Sequence, residues 1–479
     1  MSDVITAQPF ARRPLGAFEQ IFDAHHSFGN YIFLCAMFLR SKSKLTEAVL
    51  HQVLRKLQNR HPFLRSRIVV GDNGNRYFEE MDKLVVDFQM VESDDWEGMY
   101  EKMLTTQFDS ENGPLWRVKL LTMPHTNEEA KCNLSNGALK SDMPFKQTIL
   151  FAFHHAISDG ISAASLFEEF AEILDSHQGS MATEHPVKSL PLLPPMEDLL
   201  PRPDITFRCL DFFNIFRIAY ESFFPGKNQY LNKYPPPITK DPNVAIMTKV
   251  IPFELSKLET EKLIARCKKE KTSVHGALTT AANLALSKII QPGGGAPLVI
   301  PSLHPVNIRY FCKPPVEPHH LGNLVLAVDT KLRIPKGTSI QKFWELSKKY
   351  TQAIRGGLAS KEYTKFLRVF GKIWNRDMYI SRVEDSQKVG GRNGAYFTLS
   401  NLGNLDRVLK GTSYSEIELE DVLTATGMHR EGPVFLHNVI TFRGQLRWHL
   451  NYCTNVATTQ HAVEYSYLIH KTLLEALKE

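Results

Sequence analysis

Apolar residues along the chain follow two spacings, one typical of strands and one of helices. Residues 28–40 form a continuous aromatic and aliphatic run that predicts a buried strand. Residues 45–59 then place leucine and valine at helical spacing, and Pro62 follows where a helix cannot continue. A second apolar strand at 147–153 precedes an amphipathic helix at 162–174. The first part of the chain therefore alternates strands and helices, as an α/β domain does.

The second half shows the same alternation of strands and helices. Helices are predicted at 256–270, 273–290, 340–354 and 461–477, and strands at 245–253, 297–306, 323–332, 396–401, 434–443 and 445–451. No sequence repeat relates the two halves. We therefore predict two similar α/β lobes, over 1–178 and 244–479, joined by a proline-rich and aromatic linker or crossover at 179–243.

Targeting and membrane signals are weak in this sequence. The N-terminus lacks the basic and apolar regions of a signal peptide, and no apolar stretch reaches membrane-spanning length. The six cysteines form no C-x-x-C pair and are irregularly spaced, which argues against a disulfide framework. We expect a cytoplasmic protein. The aromatic stretch 207–224 is interpreted either as a crossover helix or as a helix in peripheral contact with an intracellular membrane.

The charge pattern and the spacing of possible metal ligands argue against a nucleic-acid-binding protein and a metalloprotein. The 57 basic and 51 acidic residues are interspersed and give a net charge of +6, so no nucleic-acid-binding face is predicted. The three His-His pairs have no carboxylate or cysteine at a spacing that would complete a metal site, so no metal is expected. The serine-hydrolase motif G-x-S-x-G and the P-loop motif are absent from the sequence.

The strongest chemical signal is the segment 151–160, which reads FAFHHAISDG. It places His154 and His155 after an apolar strand, and Asp159 and Gly160 before a helix. A neutral imidazole can take the proton of an attacking hydroxyl because its pKa lies near the operating pH. Asp159 could orient the imidazole as the acid of a triad does. The segment therefore predicts His155 as a general base.

Further motifs accompany this segment in a fixed order along the chain. They lie at residues 13–19 (RPLGAFE), 45–67 (ending NRHPFLRSR), 113–117 (GPLWR), 305–309 (PVNIR), 321–323 (LGN) and 400–403 (SNLG). With the His-His-x-x-x-Asp-Gly segment, they resemble the CoA-dependent acyltransferases of the chloramphenicol-acetyltransferase-like superfamily. The resemblance is greatest to alcohol acetyltransferases and to the condensation domains of peptide synthetases, and it covers nearly the whole chain.

The resemblance implies a fold of two lobes, each a mixed sheet flanked by helices, with a tunnel between them. It implies that an acyl-CoA donor and the acceptor reach His155 from opposite faces of the tunnel. It also implies that Asp159 turns away from the imidazole and forms an ion pair with Arg309, which we predict. Many relatives carry a late Asp-Phe-Gly-Trp-Gly motif, and this chain has Ser-Asn-Leu-Gly instead.

Supporting roles are predicted for five other positions. His154 is interpreted as a buried structural histidine, and Gly160 as a place of close backbone approach. Asn323 is either an interlobe hydrogen-bonding residue or part of a turn. Ser400 and Asn401 are expected to face the oxyanion or the donor.

Three functions are compatible with the sequence. The first is an O-acyltransferase, here a monomer without a bound cofactor, that moves an acetyl or other acyl group from CoA to a small hydrophobic alcohol. The second keeps the fold but uses a carrier-protein thioester as donor or an amine as acceptor. The third is a catalytically silent binding protein, which the intact His155, Asp159 and Gly160 argue against.

Overall fold

The computed structural model describes twelve ranges of the chain. They are residues 12–122, 142–178, 187–201, 216, 228–235, 247–335, 340–360, 376–377, 379–381, 396–409, 414–430 and 432–479. The chain divides into two compact units. Unit 1 comprises Met1–Met196, Pro314–Leu324 and Asn404–Gly427, and unit 2 comprises Glu197–Lys313, Val325–Gly403 and Met428–Glu479.

The described strands and helices alternate as predicted. The strands are β1 Arg13–Pro14, β2 Ile32–Ser41, β3 Ser66–Val70, β4 Arg76–Glu80, β5 Phe88–Glu92, β6 Trp116–Thr122, β7 Phe145–His154, β8 Thr248–Leu255, β9 Leu298–Val299, β10 Ser302–Asn307, β11 Val325–Thr330, β12 Arg333–Ile334, β13 Phe397–Asn404, β14 Ile417–Thr426, β15 Phe435–Phe442 and β16 Gln445–Cys453. The helices are α1 Ala17–Ser27, α2 Glu47–Arg60, α3 Trp96–Thr105, α4 Gly160–Gln178, α5 Met196–Leu199, α6 Gln229–Lys233, α7 Lys257–Lys269, α8 Val274–Ile290, α9 Phe343–Ala359 and α10 Thr459–Lys478.

The main sheet of unit 1 has the strand order β14-β2-β7-β6-β5, and β1, β4 and β3 form a smaller sheet. Strands β2 and β7 pair antiparallel along their whole length, from Ile32 opposite His154 to Ser41 opposite Phe145. Both strands are nearly continuous apolar runs because helices cover the sheet. This register places His154 at the last paired position of β7, so His155 lies just beyond the end of the sheet.

Helices α2 and α4 pack against each other and bury their apolar faces in unit 1. Helix α2 begins after Thr46, whose side chain accepts a hydrogen bond from the Val49 N–H, and the predicted helix at 45–59 is confirmed. On the α4 side, Phe151 of β7 packs against Phe167 and Phe170, with ring centroids 5.1 and 5.2 Å apart. Burial of each such side chain stabilises the fold by about 1.5–3 kcal/mol.

Unit 1 also takes segments from the second half of the sequence. Strand β14 pairs antiparallel with β2, from Ile417 opposite Ser41 to Thr426 opposite Phe33. The segment Pro314–Leu324 belongs to unit 1 as well. Asn323 therefore lies in the same unit as His155.

Unit 2 contains a six-stranded mixed sheet of order β11-β10-β13-β15-β16-β8. Strands β10 and β13 are parallel, whereas β10–β11, β15–β16 and β16–β8 are antiparallel. Helix α8 packs on both α9 and α10, and most of its residues are buried, which explains its nearly continuous apolar sequence. The predicted helix at 273–290 is confirmed, and the predicted strands at 434–443 and 445–451 pair as the antiparallel strands β15 and β16.

Part of the predicted linker is held on unit 1. The Leu190 N–H donates to the Arg60 carbonyl (2.8 Å), and Arg65 donates to the Ser189 hydroxyl (3.0 Å). The stretch interpreted as a membrane or crossover helix, 207–224, lies outside the described residues except for Phe216. Among the helices that the structure describes, none is both long and apolar enough to cross a membrane.

Candidate active site

A tight turn between β7 and α4 presents His155. The His154 N–H donates to the Leu115 carbonyl (2.8 Å), and the Ile157 N–H donates to the His154 carbonyl (3.0 Å), which closes the turn. Helix α4 then begins at Gly160. His155 is partly exposed, whereas the residues on either side of it in the turn are buried. The strand–turn–helix context that the sequence predicts is therefore present.

The imidazole of His155 is fixed in one tautomer. Its Nδ1 lies 2.8 Å from the Ser158 carbonyl oxygen, which can only accept, so Nδ1 carries the proton. The Nε2 atom is then the unprotonated nitrogen with a free lone pair. This is the tautomer that a general base acting through Nε2 needs.

The electrostatic surroundings keep the His155 ring neutral. Burial is the largest effect and lowers the pKa of His155 below its usual value. The hydrogen bond to the Ser158 carbonyl and the charge of Asp159 raise the pKa, but they do not outweigh burial. The basic form of the imidazole is therefore the populated form at neutral pH.

The Asp159 carboxylate accepts hydrogen bonds from backbone N–H groups. Its Oδ1 accepts from the Ile161 and Ser162 N–H groups (3.0 and 2.9 Å), as the N-cap of α4. Its Oδ2 accepts from the Leu324 N–H (2.9 Å), which joins α4 to the segment Pro314–Leu324. The predicted ion pair with Arg309 stays a prediction.

Removing the Asp159 carboxylate is expected to destabilise unit 1. In Asp159→Ala, three N–H groups lose their charged acceptor, so the free energy of unfolding should fall by about 2–4 kcal/mol. Urea denaturation checks this value. Thr46→Ala removes an exposed N-cap on α2 and serves as the matched control, with an expected loss of about 1 kcal/mol. A loss in Asp159→Ala no larger than in this control would contradict the assignment.

Asn323 reaches His155 from a distant part of the sequence. Its Nδ2 donates to the His155 carbonyl (2.8 Å) and lies 3.2 Å from Nδ1 of the same residue. The preceding Gly322 has φ of +149°, which favours glycine, and its carbonyl accepts from the Ser162 hydroxyl (3.3 Å). Asn323 thus stabilises, through its hydrogen bond to the His155 carbonyl, the turn that contains the predicted base.

His154 is completely buried beside His155. Its Nδ1 accepts from the Ala156 N–H (3.2 Å), so its Nε2 carries the proton and points towards Asp23 Oδ1 at 3.8 Å. Asp23 forms an ion pair with Arg76 (2.7 Å), and the His26 ring lies against His154 with centroids 4.3 Å apart. Burial lowers the pKa of His154 well below its usual value. This position suits a structural role.

The remaining predicted site residues lie in unit 2. Arg309 is buried, and its backbone N–H donates to Asn307 Oδ1 (3.0 Å). Asn401 Oδ1 accepts from the N–H of Gly403 (2.9 Å), and Gly403 has φ of +77°, so Asn401 holds the backbone of the last residues of β13. Ser400 is partly exposed in the same strand. Their predicted roles towards an oxyanion or donor stay predictions.

Sequence reasoning missed the aromatic residues around the base. Phe22 of α1, Tyr31, and Phe33 of β2 lie against the His155 ring, with centroids 5.6, 4.7 and 5.6 Å away. In the sequence they are ordinary apolar positions before and within a buried strand, and α1 itself is not predicted. Only the neighbourhood of the motif in three dimensions identifies them.

Comparison with known protein families finds one model that matches part of the chain. The family model described as "Phthiocerol/phthiodiolone dimycocerosyl transferase C-terminus" matches residues 247–450. A search of curated protein sequences finds no match.

Solved structures resemble the chain over almost its full length. TRI3 trichothecene 15-O-acetyltransferase from Fusarium sporotrichioides is 14% identical, with 97% of this chain and 95% of that chain covered and a TM-score of 0.72. Polyketide synthase associated protein 5 from Mycobacterium tuberculosis is 17% identical, with 98% of each chain covered and a TM-score of 0.60. The first condensation domain of the CDA synthetase is 14% identical, with 98% and 97% covered and a TM-score of 0.60.

These matches confirm the predicted fold and the predicted resemblance. The chain has the mixed-sheet, two-lobed fold of the TRI3 acetyltransferase and of the condensation domain. The family model, which is described as a dimycocerosyl transferase and matches residues 247–450, supports the predicted enzyme class, an acyltransferase.

Proposed function

We propose that this acyltransferase fold carries an O-acyltransferase. In this proposal an acyl group, acetyl in the simplest case, moves from a CoA thioester to the hydroxyl of a hydrophobic alcohol. The observation that carries the proposal is the fixed tautomer of His155, whose Nδ1–H is held by the Ser158 carbonyl and whose Nε2 is left free. Such a nitrogen, neutral and at the edge of a buried turn, is suited to accept a proton from an alcohol.

The proposed reaction needs no covalent enzyme intermediate, since a thioester is already an activated acyl donor. His155 Nε2 takes the hydroxyl proton as the alcohol oxygen forms a bond to the thioester carbonyl carbon. The tetrahedral oxyanion collapses, the carbon–sulfur bond breaks, and the thiolate takes the proton back from Nε2. The imidazole returns to its starting state, with the ester and free CoA as products.

The comparisons support this reading at the level of reaction type. The matched TRI3 protein is named as a 15-O-acetyltransferase, which is a hydroxyl acylation. The aromatic surroundings of His155 favour an apolar acceptor over a sugar, because an apolar wall offers few hydrogen bonds to a polyhydroxylated molecule. The condensation-domain match favours the second candidate, transfer from a carrier-protein thioester or to an amine.

One assay separates these candidates. Release of free thiol from acetyl-CoA is measured with a panel of hydrophobic alcohols and with amines of matching carbon skeleton, and products are identified by mass spectrometry. Ester formation with alcohols supports the proposal. Transfer only from a phosphopantetheine-loaded carrier protein, or only to amines, supports the second candidate. Absence of transfer with every donor and acceptor would contradict both.

A further inference from the structure

We propose that Phe22, Tyr31 and Phe33 form an aromatic cage that stabilises the imidazolium form of His155 during transfer. The inference rests on the proposed function, because His155 becomes positively charged only when it accepts a proton from the acceptor. The three residues act through His155 and are positioning residues in this scheme.

The cage is built from two adjoining elements of unit 1. Phe22 lies in the middle of α1, Tyr31 immediately precedes β2, and Phe33 is the second residue of β2. The Phe22 and Phe33 rings are nearly parallel to the imidazole, at interplanar angles of 23° and 27°, and the Tyr31 ring is tilted by 43°. All three centroids lie within 5.6 Å of the imidazole centroid, a distance at which a cation is attracted by an aromatic ring.

The hydrogen bonds around His155 explain why a cage is useful here. In a Ser-His-Asp triad a carboxylate holds Nδ1–H and stabilises the imidazolium. Here the Nδ1–H is held by the neutral Ser158 carbonyl, and Asp159 places its oxygens on the N–H groups of Ile161, Ser162 and Leu324. The electron-rich faces of the rings supply attraction for the charge in a part of the site where water is largely excluded.

Other polar and titratable groups also surround the imidazole. Asp159 raises the pKa of His155 through its charge, and the neighbouring His154 is kept neutral by burial. His25 meets Tyr31 edge-on with centroids 5.3 Å apart, and Asn323 donates to the His155 carbonyl. None of these groups changes when a phenylalanine ring is fluorinated, so fluorination isolates the contribution of the cage.

Progressive fluorination of Phe22 and of Phe33 tests the cage. Mono-, di- and trifluorophenylalanine keep the shape of the ring but withdraw electron density from its face. Across each series we expect kcat to fall by about three- to tenfold with KM nearly unchanged. The acid limb of kcat/KM should also move to lower pH, because the protonated imidazole loses stabilisation.

Phe170 provides the matched control. It is fully buried in α4 and packs on Phe151 rather than on His155. Fluorination of Phe170 should leave kcat and the pH profile unchanged. A decline in the Phe22 series equal to that in the Phe170 series would show general packing damage and overturn the proposal.

Measuring the pKa of His155 directly tests the cage independently of the proposed function. The pKa of His155 is followed by NMR of labelled histidine, with its signal identified by its loss in His155→Ala. We expect the pKa to fall by about 0.5 to 1 in total across the Phe22 series. An unchanged pKa overturns the cage even if the enzyme is an O-acyltransferase. A falling pKa together with full activity in His155→Ala supports the cage and contradicts the proposed catalytic base.

Discussion

Replacing His155 with alanine is expected to lower kcat by about 10²- to 10⁴-fold, with a smaller effect on KM. The physical reason is that the variant has no group in place of Nε2 to take the hydroxyl proton, while the thioester remains equally activated. The variant loses the bond from the imidazole to the Ser158 carbonyl, but the turn keeps the bond from Asn323 to the carbonyl of residue 155. Steady-state kinetics with acetyl-CoA and the best alcohol of the panel measure the effect.

Two controls make this result specific to the base. His51→Ala removes a surface histidine, with 37% of its side chain exposed, and should keep full activity. Added imidazole should restore part of the activity of His155→Ala, since it can occupy the space of the missing ring and take the proton. Full activity in His155→Ala, with thermal unfolding like that of the unaltered protein, would exclude His155 as the base.

Lowering the pH from 7.5 to 4.5 is expected to destabilise the protein severely. Burial lowers the pKa of His26 to about 4 and that of His437 to about 3, from an ordinary value of 6.5. Below pH 6.5 the unfolded chain binds a proton at each of these positions while the folded chain does not, so stability falls as the pH falls. By pH 4.5 each of these two groups costs about 2–3 kcal/mol.

Several other histidines add to this effect. His154 and His304 are also buried, and burial lowers the pKa of each well below its usual value; burial also lowers the pKa of His275 to about 4. The losses at His26, His275 and His437 together are comparable to the whole stability of an ordinary domain. Urea denaturation midpoints between pH 7.5 and 4.5 check the prediction.

A single substitution can test the origin of the acid sensitivity. His437→Gln retains an acceptor for the Trp448 indole N–H, which donates to His437 Nδ1 (2.9 Å), but it cannot be protonated. The loss of stability between pH 7.5 and 4.5 should therefore be about 2 kcal/mol smaller than in the unaltered protein. His51→Gln, at a partly exposed position, is the control for replacing a histidine with glutamine. Equal pH dependence in all three proteins would contradict the role of buried histidines.

Local patterns predicted the elements well, because long apolar stripes leave few alternatives. Helices α2 and α8 follow from helical spacing over about four turns. The position of His155 between a strand and a helix follows from the apolar run before it and the helical pattern of apolar residues after it. The N-cap role of Asp159 also had a signal. Aspartate is a preferred N-cap, and Asp159 lies three residues before the predicted helix at 162–174; the observed helix begins earlier, at Gly160, which makes Asp159 its N-cap.

What the sequence could not show is which distant segments meet. Asn323 comes from a position more than 150 residues after His155, and no local pattern specifies that it donates to the His155 carbonyl. The sequence does not identify the aromatic cage for a related reason. Phe22, Tyr31 and Phe33 have the same residue types as core positions, and only the orientation of α1 against β2 brings them to the imidazole.

The pairing of β14 with β2 has a consequence for the order in which the protein can form during synthesis. Ribosomes add about 5–20 residues per second, so roughly ten to fifty seconds separate the completion of α4 from that of β14. During that interval β2 has an open edge with unpaired backbone N–H and C=O groups along an apolar strand. The nascent chain should therefore depend on chaperones for that interval more than a lobe made from one continuous segment would.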